Sequence, residues 1–200
     1  MVQSGIAPIA LNHPAIPIII SETTARLRDL RVLAADLSNL EQRYGTMTQR
    51  VLVPDTNVFM HYTFFTEAPW PALVDDEKVH LAIPLVVVEE LDKLKFLPPS
   101  RDRARKVIRA LDEILGGESA GLVELPGGRG TLEVVPEERG HRRQPAVDAE
   151  IIEVCAALSD IVRSASSLVT GDLNMKVRAR SLGVSVVSIP DDWLLPSQAG

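Results

Sequence analysis

The sequence is poor in the residues on which several kinds of site and scaffold depend. A single cysteine, Cys155, rules out a disulfide within the chain, which favours a reducing, cytoplasmic compartment and a buried structural thiol. The four histidines are scattered and lack the spacing of a zinc site. Aromatic residues make up only 4% of the chain, so we expect an aliphatic core.

The chain also lacks a hydrophobic run of the kind that enters or crosses a membrane. Its first five residues carry no basic side chain, and the apolar stretch that follows is interrupted by Pro8, Pro14 and Pro17. We therefore expect no membrane partner. The net charge of -6 argues against a basic coat over the whole surface, so nucleic acid would need a local basic face.

What is present indicates an α/β protein of one domain with an extension. Short apolar, β-branched runs alternate with helical patterns from Arg50 onward, which predicts a mostly parallel sheet covered on both faces. We expect an irregular segment and an amphipathic helix over 1–49, the domain over 50–193 and a loose tail over 194–200. The periodicities predict strands at 51–53, 79–83, 122–125, 131–135, 167–170 and 184–189, and helices at 85–95, 101–115, 148–164 and 173–182.

The N-terminal extension is expected to hold one long helix. Its prolines predict an irregular start over 1–20, with Ser21 as the N-cap of a helix that ends at Tyr44. Apolar residues recur along it at alternating spacings of three and four. This stripe fits packing against the following domain, or the seam of a homodimer. Its members are Leu30, Leu33, Leu37, Leu40 and Tyr44.

Two predicted strands end in acids. Asp55 and Asn57 follow the strand 51–53, and Asp172 follows the strand 167–170. The carboxyl ends of parallel strands meet at one edge of a sheet, where sites form. Asp55 is therefore a candidate metal ligand. The alternative is that Asp55, Asn57 or Asp172 only caps the helix that follows it.

Two more acids belong to predicted helices. Glu90 and Asp148 each fall on an apolar stripe, whereas Glu89 and Glu150 fall outside those stripes, and Glu89 is placed to pair with Lys93. An acid on a packed face is costly unless it is paired or binds metal. Converging carboxylates repel one another, and oxygen ligands suit Mg²⁺ or Mn²⁺. For Asp148 a helix N-cap is the alternative.

Four segments of the chain carry a resemblance by their order and spacing: Val53 to Val58, Ile83 to Lys95, Asp148 to Ile151 and Leu168 to Asn174. Together they resemble the PIN domain, the fold of many metal-dependent ribonucleases, which is a three-layer α/β/α arrangement. The second segment, with Arg103-Ala104-Arg105, is most similar to PIN domains fused to PhoH-type ATPases. Many family members have Asn where this chain has Val147 and Gly171.

The resemblance implies a function and a set of residues. It implies a Mg²⁺- or Mn²⁺-dependent ribonuclease in which a metal-activated water hydrolyses RNA phosphodiester bonds. The alternatives are a catalytically silent RNA- or protein-binding PIN module and the toxin of a toxin–antitoxin pair. The metal-binding acids would be Asp55, Glu90, Asp148 and Asp172, with Asn57, Thr170 and Asn174 as supporting polar groups.

A basic stretch follows the second segment. Between positions 93 and 109 there are seven basic residues and one acid, Asp102, in a chain of net negative charge. This stretch is predicted to track RNA phosphates, although a solvated helix face has the same composition. The residues expected to bind RNA are Arg101, Arg103, Arg105 and Lys106.

Overall fold

The computed structural model describes residues 14–116, 122–137, 141–162 and 164–196. The chain divides into two compact units, Met1–Gly45 and Thr46–Gly200. Within the described segments, no helix combines the length and the apolar character needed to cross a bilayer.

The described residues of the first unit form one helix, α1, over Ala15–Tyr44. The prediction that the chain is irregular as far as residue 20 is wrong for the described part, and Ser21 lies inside the helix instead of capping it. Pro17 falls in the first turn, where backbone N–H groups have no helical partner, so proline is tolerated there. The predicted irregular residues 1–13 lie outside the described residues.

Much of the apolar stripe on α1 is exposed. Leu30, Leu33 and Leu37 are 63%, 58% and 58% exposed. The homodimer that this stripe suggested stays a prediction, as does its packing on the domain.

The second unit alternates strands and helices as predicted. The strands are β1 Arg50–Pro54, β2 Val79–Pro84, β3 Val123–Glu124, β4 Gly130–Val135, β5 Ser166–Thr170 and β6 Val186–Ser188. The helices are α2 Thr56–His61, α3 Leu85–Leu94, α4 Arg101–Leu115, α5 Val147–Ile161 and α6 Leu173–Ser181, with short 3-10 turns at Trp70–Leu73 and Asp191–Trp193.

The six strands form one sheet in the order β3-β4-β2-β1-β5-β6. Every neighbouring pair is parallel except β3 and β4, which are joined antiparallel through a glycine-rich turn. The predicted three-layer α/β fold with a mostly parallel sheet is therefore confirmed. β1 lies between β2 and β5, so the carboxyl ends of three central strands converge where the acids follow them.

The two ends of the domain differ from the prediction. β6 is shorter than expected, because its pairing with β5 covers only Val186–Ser188. Part of the predicted loose tail is anchored: Leu194 pairs with Tyr62, and Leu195 N–H donates to the carbonyl of His61 at 2.8 Å.

The core is largely aliphatic, as expected, but it contains two features that composition did not show. Trp70 is buried, donates to the Phe65 carbonyl at 2.7 Å and packs edge-on against Trp193. His80 and Glu133 are fully buried between β2 and β4, with Nε2 and Oε1 3.0 Å apart.

Cys155 is buried, and burial raises the pKa of its thiol to about 11, so it is an inert structural thiol.

The start of β4, directly after the glycine-rich turn, needs a residue without a side chain. Gly130 has φ of 136°, and a Cβ there would lie 1.8 Å from the Val79 carbonyl oxygen on the neighbouring strand. Because Gly130 and Val79 are register partners, a side chain would force β4 away from β2. Gly128, in the same turn, has φ of 67°, and a Cβ at that position would meet no atom within 4 Å.

We expect Gly130→Ala to lower the free energy of unfolding by at least about 3 kcal/mol, since backbone strain and lost pairing add together. Gly128→Ala is the matched control and should cost only about 1–2 kcal/mol, from the left-handed backbone alone. Urea unfolding of the two variants measures the difference. Equal losses would show that the close approach of β2 is not what requires the glycine.

Candidate active site

Asp55 is held at the carboxyl end of β1 by contacts on both carboxylate oxygens. Oδ1 accepts from the backbone N–H of Val58 at 2.9 Å and so caps α2. Oδ2 accepts from the hydroxyl of Thr170 on β5. The backbone N–H of Asp55 donates to the Val169 carbonyl at 3.1 Å. Asp55 is thus a helix cap, and it is also tied to the neighbouring strand.

The Asp55 carboxylate lies in an unfavourable place for a negative charge. It is only 3% exposed, and burial raises its pKa to about 6, although the hydrogen bonds from Thr170 and Val58 oppose that rise. The charges of Asp148 and Asp172 raise the pKa further. Two of the other predicted acids therefore act on Asp55, and a cation beside it would relieve both the desolvation and the repulsion.

Thr170 connects two of the acids. Its buried hydroxyl donates to Asp55 and accepts from the backbone N–H of Asp172 at 3.0 Å. Asp172 in turn accepts from Met175 N–H at 2.9 Å, so it caps α6. The capping alternative holds for Asp172, and its carboxylate still lies at the same edge of the sheet as Asp55.

The two adjacent glutamates of α3 have different surroundings. Glu90 is half-buried and accepts from the hydroxyl of Thr56 at the start of α2. Glu89 and Lys93 attract each other by charge as predicted, but among the described residues they form no salt bridge. Both carboxylate oxygens of Glu89 instead accept from Arg143, each at 2.6 Å, and this contact lowers the pKa of Glu89. The loop before α5 supplied a partner that no helical spacing could reveal.

Asp148 departs from its predicted surroundings. It is exposed, and the N-cap of α5 is Ala146, so both the packed position and the capping alternative are wrong. Glu150, expected off the packed face, is 2% exposed. Its oxygens accept from His141 Nε2 at 2.5 Å and from Gln144 N–H at 2.8 Å, because residues 141–146 fold back over the start of α5.

Three of the predicted acids open onto one cavity of about 190 Å³, namely Asp55, Glu90 and Asp148. Asp172 does not line it, and its link to the site runs through Thr170 and its charge. The cavity is also lined by Asn57, one of the predicted supporting groups, whereas Asn174 lies exposed in the first turn of α6. We refer to Asp55, Glu90, Asp148 and Asp172 as the acidic site.

Three polar residues of the cavity were not anticipated from the sequence. Thr56, His61 and Ser100 line it, and Thr56 bonds to Glu90. The four histidines are scattered along the sequence, so their spacing did not single out His61. Thr56 and His61 are the first and last residues of α2, the helix that directly follows Asp55. Their closeness to Asp55 in the sequence is the signal that could have identified them.

The donor set of the acidic site fits a hydrated divalent ion. All four groups are carboxylates, whose oxygens are suitable ligands for Mg²⁺ and Mn²⁺. Among the described residues, no three of these acids bring an oxygen each within 4.8 Å of one another; the group that does is His141, Glu150 and Glu153. The distances between these carboxylates suit an ion that is bound directly by only one or two of them, because Mg²⁺ retains several of its waters.

The predicted RNA-binding residues separate into two sets. Arg103 is half-buried and donates to the carbonyls of Phe59 and Tyr62 at 2.8 and 2.6 Å, and burial lowers its pKa. Arg103 and Lys106 both lie over the ring of Phe64, at 5.0 and 4.7 Å. Arg103 is therefore committed to the fold. Arg101, Arg105 and Lys106 are exposed on α4.

A PIN domain family model matches residues 52–190, and the chain therefore belongs to the PIN domain family. Proteins of this family are commonly nucleases. A comparison with curated proteins finds no significant match.

Two solved structures illustrate the similarity. A domain of a functionally unknown protein from Methanocaldococcus jannaschii is 18% identical, with 76% of this chain and 97% of that chain covered at a TM-score of 0.47. The PIN domain of human SMG5 is 19% identical, with 72% and 97% covered at a TM-score of 0.41.

The raised pKa of Asp55 predicts a pH dependence of stability. The pKa of Asp55 is about 6 in the folded chain against an ordinary 3.8. As the pH falls, the folded state therefore binds this proton at a higher pH than the unfolded state does. The charged carboxylate thus destabilises the metal-free protein above pH 6, and this cost disappears below pH 4. A shift of this size corresponds to about 3 kcal/mol.

We expect Asp55→Asn to remove that cost. With chelator present, the stability of the wild type relative to the variant should fall by up to about 3 kcal/mol between pH 4 and pH 7. Urea unfolding of both proteins across this range measures the difference and cancels the titration of other groups. Parallel curves would mean that Asp55 ionises normally in the folded chain.

Proposed function

We propose that this chain is a divalent-metal-dependent ribonuclease whose active centre is the acidic site. The observation that supports it most is the cavity into which Asp55, Glu90 and Asp148 open together, with Asp55 desolvated and repelled by neighbouring charge. A buried carboxylate with so raised a pKa is costly to keep unless it has a ligand to bind.

The residues have distinct roles in this proposal. Asp55 and Glu90 are the inner acids, held in place by the hydroxyls of Thr170 and Thr56. Asp148 is the exposed acid of the cavity lining, and the negative charge of Asp172 acts on Asp55. When bound, Mg²⁺ or Mn²⁺ supplies Lewis-acid activation of water and stabilisation of phosphate charge.

RNA is the proposed partner, in a cytoplasmic setting. The exposed guanidinium groups of Arg101 and Arg105 lie on α4, which begins next to the cavity residue Ser100. Phosphates bound along this face would lead the strand to the acids without base readout. Arg103 is left out of this face because its donors are used within the fold.

A second candidate function is an RNA-binding module that does not cleave. The spacing of the carboxylates favours it, since no three of them in the described chain approach within 4.8 Å. The two candidates differ in their response to metal: the nuclease needs the ion for turnover, and the module binds RNA equally with or without it.

The contrast between Glu90 and Glu89 provides the sharpest test. Glu90→Gln should abolish metal-dependent cleavage, because it removes charge from the cavity. Glu89→Gln should leave cleavage nearly unchanged and weaken only the interaction with Arg143. Cleavage of mixed single-stranded and structured RNAs with Mg²⁺, Mn²⁺ or chelator measures both variants, and circular dichroism confirms their folds.

Thermal unfolding with Mn²⁺ is the control that does not depend on turnover. Binding to the folded state alone raises stability by RT ln(1 + [L]/Kd), about 2.7 kcal/mol at a hundredfold excess over Kd. The wild type and Glu89→Gln should show this response, and Glu90→Gln should show less of it. A melting temperature indifferent to millimolar Mn²⁺, together with no cleavage, would refute the nuclease.

The two sets of basic residues should behave differently. Replacing Arg101 and Arg105 together with alanine should weaken RNA binding at all sequences and reduce the salt dependence by roughly one unit of slope for each phosphate that is no longer neutralised. Arg103→Ala should instead lower the melting temperature, because the carbonyls of Phe59 and Tyr62 lose their donor. Binding isotherms at several salt concentrations test this. An unchanged slope in the double variant would mean that these arginines belong to a solvated helix face and do not bind RNA.

A further inference from the structure

The ring of Tyr62 fills the space that a side chain at position 171 would take, next to Asp172 of the acidic site. A Cβ on Gly171 would lie 2.1 Å from the Tyr62 hydroxyl oxygen and 3.0 Å from its Cζ. The phenol therefore rests against the backbone between Thr170 and Asp172, where any side chain at position 171 would displace it. Gly171 has an ordinary backbone conformation there, since no left-handed φ is found for it. Its lack of a side chain is needed for space.

The fold holds Tyr62 at this place through its backbone. Its carbonyl accepts from Arg103 Nη2 at 2.6 Å, and it pairs with Leu194 in an antiparallel bridge. The residues on either side are bound to the same C-terminal segment: Leu195 N–H donates to His61, and Thr63 N–H donates to the Trp193 carbonyl at 2.7 Å. Anchors from α4 and from the C-terminal segment thus fix the base of this side chain.

The phenol is protonated at neutral pH, because the ordinary pKa of a tyrosine is about 10. Partial burial raises the pKa of Tyr62, and the carboxylates of Asp55 and Asp191 raise it further. Within the described chain, the hydroxyl donates to no other residue. A neutral donor therefore lies at the rim of a negatively charged site, and its proton is available to an incoming acceptor.

We propose that the Tyr62 hydroxyl donates a hydrogen bond to a phosphate oxygen of RNA bound at the acidic site, and that Gly171 is the residue that admits it. This inference rests on the proposed function. A phosphate oxygen carries charge and has no proton, so it accepts a hydrogen bond from the neutral phenol. The phenol adds no charge of its own, so it does not compete with a cation for the acids.

Binding and turnover are measured on the wild type, four single variants and one double variant. Affinity for a short single-stranded RNA is measured with Ca²⁺ in place of Mn²⁺, and cleavage is measured with Mn²⁺. Tyr62→Phe keeps the ring and loses the hydroxyl, Tyr62→Leu loses both, and Gly171→Ala displaces the phenol. Ser181→Ala removes an exposed hydroxyl at the opposite end of α6 from Asp172, so it is the matched control and should equal the wild type.

Tyr62→Phe is expected to weaken RNA binding about tenfold, the usual effect of one hydrogen bond to a charged acceptor. Gly171→Ala should show a similar loss, and the double variant Gly171→Ala with Tyr62→Phe should lose no more than Gly171→Ala alone. The Mn²⁺ response of the melting temperature should persist in Tyr62→Phe, because the acids are intact.

The outcomes separate the inference from the proposed function. If the wild type cleaves RNA and Tyr62→Phe binds and cleaves equally well, the hydroxyl has no role and the inference is overturned alone. A loss confined to Tyr62→Leu assigns the effect to the ring and also overturns it. If the wild type neither binds nor cleaves RNA, the proposed function and this inference both fall.

Discussion

The site depends on the burial of one carboxylate at the end of a central strand. Asp55 satisfies α2 with one oxygen and Thr170 with the other, so the same side chain ends β1, begins the next helix and ties β1 to β5. Thr170 passes this constraint to Asp172 through its hydroxyl. The contacts that stabilise the local fold also bury the Asp55 carboxylate beside other negative charges. A bound cation would offset the cost of that desolvation and repulsion.

The helices that carry the other acids are positioned by contacts outside the cavity. Arg143, in the loop that precedes α5, binds Glu89 on α3 with both terminal nitrogens. The same loop is fastened to α5 where His141 and Gln144 meet the buried Glu150. Glu90 and Asp148 are thus placed relative to each other by neighbours that do not enter the cavity. The cluster of His141, Glu150 and Glu153 is accounted for by this hydrogen bonding.

Basic residues near the site serve two purposes that composition cannot separate. Arg103 joins α4 to the end of α2 and supports Tyr62, whereas Arg101 and Arg105 lie on the solvent side of the same helix. All three have the same charge and lie within about one helical turn of each other. Their roles differ because Arg103 donates to two backbone carbonyls of a neighbouring segment, while the other two guanidinium groups face water.

The sequence by itself determined the order of strands and helices, the ends of α4, and the acids at the strand ends, because these follow from local periodicity, proline and glycine. It placed Asp55 and Asp172 correctly, since a residue directly after a parallel strand must lie at one sheet edge. The exposure of Asp148, the burial of Glu150 and the Arg143 partner of Glu89 came only from the tertiary structure. Each depends on where the 141–146 loop folds back, and the closeness of Tyr62 to Gly171 joins segments more than a hundred residues apart. Such contacts leave no periodic signal in the chain.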